Sequence, residues 1–233
     1  METNSSNPNK TEQLRELFKN KSTLIWDWNG TLLNDTELCS GIINDLLKER
    51  NLDILALDEH RRLFDFPVKN FYTKVGFTFE DEPFESISGK FIETYYARID
   101  QCSLHSGVKY LLESFQKLGL SQCVLSASEE SHLAKAVNIY GLAEFFDELI
   151  GIKSIHAEGK IETGKQYIQR SGLDKNEILL IGDTVHDFEV ASALGVSCLL
   201  ISDGHHHPDR LKDCGVPLIE SLEELTEIVD KGF

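Results

Sequence analysis

The sequence predicts an α/β protein in which a parallel-sheet core carries a helical insertion, and three observations predict it. After Gly107, short apolar runs alternate with stretches of helical periodicity, the pattern of βα units on a parallel sheet. One further apolar run, at about 23–28, stands apart from the others. Between them, residues 38 to about 104 carry several helical patterns and many aromatics but no strong strand, as an inserted helical segment would.

Residues 1–10 are polar and read as a disordered tail, followed by a short charged helix over Thr11–Asn20 with Leu14, Leu17 and Phe18 on one side. The strand at 23–28 ends in Trp26-Asp27-Trp28, ahead of a turn at Gly30. Asn34 and Glu37 have capping-box spacing before Leu38, Ile42, Ile43, Leu46 and Leu47, which lie on one helical face. Flexible connections near 33–37 and 103–107 are expected to join the insertion to the core, and the Phe64–Val68 turn is the part whose position suits contact with substrate. Val108, Leu111, Leu112, Phe115 and Leu118 form the next helical face, closed by Gly119. Strands then fall at 122–127, 148–152, 177–182 and 197–202, and helices at 129–140, 163–171 and 187–194, with Ser221-Leu222-Glu223-Glu224 opening a last helix. The expected division is a tail and helix over 1–21, a core of 22–37 with 105–233, and a helical insertion of 38–104.

Composition narrows the partners. The 233 residues include 23 Lys and Arg against 39 Asp and Glu, a formal charge of −16 that repels nucleic acid and anionic membranes. A phosphorylated substrate would need local positive charge from a metal, a lysine or a helix N-terminus. The five cysteines show no CxxC spacing, and Cys123 and Cys198 lie in apolar runs, so reduced thiols and a cytosolic location are expected, without zinc or disulfides. The N-terminus lacks an apolar signal region, and no segment approaches the roughly 18 consecutive apolar residues of a membrane span.

Four groups near strand ends carry the chemistry. Asp27 follows the first strand, Ser126 ends Cys123-Val124-Leu125, Lys160 follows Glu158-Gly159, and Asp183 sits in Gly182-Asp183-Thr184-Val185-His186-Asp187. In a parallel sheet such groups converge at one edge. An aspartate that attacks phosphorus forms an aspartyl-phosphate that water then hydrolyses, and two anions meet only with a cation between them. Asp27 and Asp183 could hold Mg²⁺, Ser126 could hydrogen-bond phosphate, and Lys160 could neutralise charge.

The order Asp-x-x-Gly-Thr-Leu, Ser, Lys, Gly-Asp-Thr-x-x-Asp resembles the haloacid dehalogenase superfamily of hydrolases, in its phosphoglycolate phosphatase-like branch, from about residue 22 to the end. The resemblance implies a Rossmann-like core, a helical cap where the insertion lies, and a Mg²⁺-dependent phosphatase of a small phosphorylated metabolite, with phosphoglycolate the first substrate to test and sugar phosphates or nucleotides close behind. It implies Asp27 as nucleophile, Ser126 as phosphate-binding serine with Ala127, Gly30 and Thr31 beside the phosphate, and Lys160 as the neutralising lysine. Asp27, Asp183 and the main-chain carbonyl of Asn29 would ligate Mg²⁺, with Asp187 supporting the metal through water or by orienting its neighbours.

Two positions depart from the pattern. The family's phosphatases carry an acid–base aspartate where this chain has Asn29, and an amide transfers no proton. The usual asparagine after the serine is Ala127. His186 or His205, His206 and His207 could transfer the proton instead, or the substrate could have a good leaving group, or the chain could be a slow enzyme or a phosphate-binding module. A phosphonate-cleaving reading needs a cap lysine, for which Lys69 and Lys74 are available; a phosphotransferase is a further alternative, and the intact Asp183 motif argues against a metal-free dehalogenase. Structural readings stand beside these. Asp187 could serve only a capping box with Thr184, Ser128 could be a helix N-cap, Lys165 reads as a solvated rival to Lys160, and His205–His207 read as a polar loop.

Overall fold

Eight strands organise the chain: β1 (Thr23–Trp26), β2 (Leu33–Asn34), β3 (Ser103–Leu104), β4 (Ser121–Glu129), β5 (Glu148–Ile152), β6 (Ile178–Gly182), β7 (Ser197–Ile201) and β8 (Leu218–Ile219) among the described residues. The computed structural model describes residues 8–153 and 159–231. Residues 1–7 of the expected tail and Glu158 lie outside the described residues.

Six strands pair in parallel in the order β5-β4-β1-β6-β7-β8, the doubly wound arrangement expected of a Rossmann-like core. β1 is buried throughout because both faces of the sheet are covered. Leu24 and Trp26 join a cluster with Phe18, Phe115 and Leu225, while Ile25 joins another with Tyr167, Val190 and Leu194. A strand covered on both sides reads as a continuous apolar run, which is why these strands were visible in the sequence. From β1 the chain builds β4 and β5 to one side, then returns to place β6, β7 and β8 on the other. The reversal puts the switch point between β1 and β6, beyond whose ends lie Asp27 and Asp183.

The first helix, α1 (Pro8–Phe18), starts within the expected tail and is anchored: Leu14 and Phe18 are buried, and the Phe18 ring stacks on Phe115 at 5.5 Å. Four helices lie between β2 and β3: α2 (Thr36–Glu49), α3 (Leu57–Leu63), α4 (Val68–Lys74) and α5 (Phe84–Arg98). The connections expected to be flexible instead pair with one another, Leu33 with Leu104 and Asn34 with Ser103, as an antiparallel ribbon. Asn34 therefore caps nothing. The N-cap of α2 is Asp35, and it makes no side-chain cap hydrogen bond, because its carboxylate is engaged elsewhere.

The remaining helices are α6 (Val108–Lys117), α7 (Glu130–Ile139), α8 (Lys160–Ser171), α9 (Val185–Leu194), α10 (Pro208–Lys212) and α11 (Glu223–Lys231). Ser128 is not an N-cap: β4 runs on to Glu129, whose side chain accepts from the His132 N–H. The helix expected from 163 begins at Lys160, with Gly159 as its N-cap. No helix among the described residues is long and apolar enough to cross a membrane.

Aromatic contacts seat the helices between β2 and β3 over the strand ends. Phe66 stacks on His186 at 4.8 Å between centroids, Phe64 lies 5.3 Å from His205, and Tyr96 stacks on His132 at 4.0 Å.

Candidate active site

The sheet edge between β1 and β6 gathers the acids. Asp27 follows β1 and Asp183 follows β6, while Asp187 lies in the first turn of α9; their carboxylates offer oxygens within 4.8 Å of one another. Lys160, at the start of α8 and only 4% exposed, places Nζ 2.5 Å from Asp27 Oδ1 and also ion-pairs with Asp187 Oδ1. Asp183 is fixed on both oxygens: Thr31 Oγ1 donates to Oδ1 at 2.7 Å and the His205 N–H to Oδ2 at 2.6 Å. Asp187 completes the capping box with Thr184 and also pairs with Lys160, so the structural and the electrostatic readings of this residue hold together.

Glycine is required beside Asp183. Gly30 has φ +75°, and a Cβ there would overlap the Asp183 carboxylate and the His205 ring. The loop can close on Asp183 only because position 30 has no side chain.

Negative charge exceeds positive charge here. Burial raises the Asp27 carboxyl; Lys160 pulls it down, but Asp187 and Asp183 push it up again, and the result is about 8. Burial likewise raises Asp183, to about 6, against the opposing charge of His205. Asp187 stays below the usual carboxylate range because Lys160 and Thr184 outweigh its burial. Three buried carboxylates, two of them on one lysine, suit a divalent cation: oxygen donors and high negative charge.

Asn29 is held on every side. Its Nδ2 donates to Asp35 Oδ2 at 2.7 Å and to the Tyr95 hydroxyl at 2.6 Å, and its Oδ1 accepts from Ser128 Oγ at 3.1 Å. Asp35, fully buried, is the hub of this network. Its Oδ1 accepts from the Gly30 N–H at 2.9 Å and contacts His205 Nε2 at 3.1 Å, while its Oδ2 also accepts from Tyr95 at 2.7 Å. Burial favours a neutral Asp35 and a neutral His205, but their pairing wins: Asp35 lies below its ordinary value and His205 rises to about 9.

The structure brings Asp27, Asn29, Ser126, Ala127, Lys160 and Asp187 to one cavity of about 540 Å³, with Asp183 against the same carboxylates. Ser126 Oγ accepts from the Ser128 N–H at 3.1 Å. The Gly30 N–H serves Asp35 and the Leu33 carbonyl, and the Thr31 hydroxyl serves Asp183. The polar loop expected at His205–His207 is in fact built into the core. His205 and His206 are buried, and His206 Nδ1 accepts from the Val185 N–H at 3.0 Å. His186 lines the cavity but pairs with Glu189 at 3.2 Å. Lys165 is exposed beside Glu162, Lys74 pairs with Asp65 at 2.7 Å, and Lys69 lies over the Phe79 and Phe84 rings.

A doubly wound sheet with an acidic cluster at its switch point, beneath a cavity, defines the class: an α/β enzyme. Residues 24–201 match the model of haloacid dehalogenase-like hydrolases, and the chain belongs to that family. It is similar to the phosphoglycolate phosphatase of Pseudomonas savastanoi pv. phaseolicola, 23% identical over 203 residues covering 82% of this chain and 74% of that protein. The phosphoglycolate phosphatase of Rhodobacter capsulatus is 24% identical over 186 residues, 78% of this chain and 84% of that one. Among solved structures, a haloacid dehalogenase-like family hydrolase from Streptococcus pneumoniae superposes with a TM-score of 0.77 at 19% identity, over 90% of this chain and 99% of that chain.

Proposed function

We infer that the chain is a Mg²⁺-dependent phosphatase of a small phosphate monoester, acting through an aspartyl-phosphate on Asp27. The observation that carries this reading is Asp27 itself: a buried carboxylate lining the cavity, with one oxygen held by Lys160 and two further acids within reach. The Asp27 carboxylate attacks phosphorus, the bond to the ester oxygen breaks, and water then cleaves the acyl phosphate. Lys160 offsets negative charge on Asp27 and on the phosphoryl group, and Ser126 Oγ, which accepts from the main chain, keeps its own proton to donate to a phosphoryl oxygen. Asp27, Asp183 and the Asn29 carbonyl would hold Mg²⁺, which would supply the positive charge that lets the two anions meet. Asp187 orients Lys160 and, through its other oxygen, the Asp183 and Thr184 main chain. The helices between β2 and β3 act as a cap that excludes water, on the side of the Phe64–Val68 turn.

Phosphate release from phosphoglycolate, phenyl phosphate and acetyl phosphate, with and without Mg²⁺, tests the reading. Metal-dependent release is expected. No release in any condition, from folded protein that still binds Mg²⁺, would favour the phosphate-binding module that Asn29 allows.

Stability should also report the metal. Asp27 and Asp183 have raised pKa values in the fold, so the folded chain holds more protons than the unfolded chain between the ordinary carboxylate range and about pH 8. Stability without metal therefore falls as pH rises through that window. Mg²⁺ replaces the protons, so the rise in Tm on adding Mg²⁺ should be larger at pH 8 than at pH 5. Equal shifts in thermal unfolding at the two pH values would contradict the assignment of these acids to the metal.

A further inference from the structure

We propose that the substrate's leaving group is an uncharged aromatic alcohol, so that the ester cleaved is an aryl phosphate. The proposal deepens the phosphatase reading and rests on it. It comes from the apolar wall of the cavity.

That wall is formed by Ile43, Phe66, Phe71, Phe91, Ile92 and Tyr96, from α2, α4, α5 and the turn before α4. At about 540 Å³ the cavity has the size of a site for a ligand well beyond a two-carbon acid, within the roughly 300–1,000 Å³ of small-molecule pockets. Among the described residues Lys160 is the only Lys or Arg lining it, and Asp27 and Asp187 occupy its ammonium; the charged His205, which also lines it, is held by Asp35 at 3.1 Å. The stretches 1–7, 154–158 and 232–233 contain no Lys or Arg in sequence. Arg61 and Arg210 border the region, but their guanidinium groups donate to the main-chain carbonyls of Ser202 and Phe64. Glu129 also lines the cavity, beside His132 at 3.4 Å. A leaving group with a carboxylate would thus give up its hydration for aromatic rings and meet a like charge. A flat apolar ring would meet edges and faces it can pack against.

One buried polar group stands on that wall without a partner. His60 is 1% exposed, lines the cavity, and neither ring nitrogen has a hydrogen bond. Its ring packs between Phe64 and Phe71 at 5.8 and 5.1 Å, and burial holds it near 3, so it adds a neutral ring and no charge to that wall.

The same class of leaving group fits Asn29. With an amide at the acid–base position, the departing oxygen receives no proton from residue 29. A phenol such as that of tyrosine ionises at about 10, whereas water ionises at about 15.7. A phenolate can therefore leave unprotonated where an aliphatic alkoxide would need an acid.

The test compares two non-hydrolysable phosphonates by calorimetry on the wild-type protein in Mg²⁺. Benzylphosphonate replaces the ester oxygen of phenyl phosphate by a methylene, and 3-phosphonopropionate does the same for phosphoglycolate. Benzylphosphonate should bind at least about 100-fold more tightly, the scale of an uncompensated buried charge. In Ile92→Lys, a cation placed on the wall should narrow that ratio by about tenfold or more. Equal or tighter binding of 3-phosphonopropionate to the wild type, or no measurable binding of benzylphosphonate, overturns the proposal. The phosphatase reading fails separately, if the wild type releases phosphate from no ester or acyl phosphate.

Discussion

Asp27→Asn should abolish phosphate release, lowering kcat by on the order of 10⁴-fold or more, while leaving the protein folded. The carboxylate is the group that would form the bond to phosphorus, and an amide at the same position is no nucleophile. The fold should not suffer, because the Asp27 carboxyl is raised to about 8 by burial and by Asp187 and Asp183, so its charged form is disfavoured in the folded chain. Lys160 keeps Asp187 as a partner in the variant. In the absence of divalent metal at pH 8, the Tm of Asp27→Asn should therefore equal or exceed that of the wild type. The pairing of lost turnover with unchanged or higher Tm separates a chemical role from a structural one. An Asp27→Asn protein that turned over at the wild-type rate would remove the nucleophile from the mechanism.

The parts of this site that were legible in the sequence are those that burial and chain direction write locally. Cys123-Val124-Leu125 and Ile178–Ile181 are apolar because both sheet faces are covered, and the polar residues that end such runs, Ser126 and Asp183, therefore fall at one edge. Thr184 and Asp187 are spaced as a capping box, and they form one. Asp35 was not legible in this way. It lies next to Asn34, which shares capping-box spacing with Glu37, so a local reading assigned the polar residues before α2 to the helix start. Its actual partners are Asn29, Tyr95 and His205, and the last two are brought to it only by tertiary packing. His205 and His206 escaped for a related reason. A run of histidines before proline looks like a polar loop, and only the neighbouring Asp35, Asp183 and Val185 N–H explain why it is buried. The ribbon of β2 and β3 escaped because two residues per strand leave no periodicity to read.

Restoring the family's aspartate at position 29 should destabilise this chain. In Asn29→Asp a carboxylate would replace the amide that now donates to Asp35 Oδ2 at 2.7 Å and to Tyr95 at 2.6 Å. Two buried acids at that distance cannot both ionise, so the pKa of one must rise. By the same linkage as for Asp27, the folded chain then binds an extra proton and loses stability as pH rises. The loss at pH 8 should be about 3–5 kcal/mol, the scale of an uncompensated buried charge, or a Tm lower by roughly 6–20 °C at about 2–4 °C per kcal/mol. It should shrink at pH 5. The double variant Asn29→Asp with Asp35→Asn exchanges the two groups. Its amide at 35 keeps an oxygen for the Gly30 N–H and His205, turns its nitrogen toward position 29, and leaves the Tyr95 hydroxyl a carboxylate to bond. Stability should return toward wild type, and turnover of esters with poor leaving groups should increase by about 10²-fold or more, because a proton-carrying group now stands at the acid–base position. An Asn29→Asp protein as stable as the wild type at pH 8 would mean that Asp35 is not the reason this chain carries an amide there.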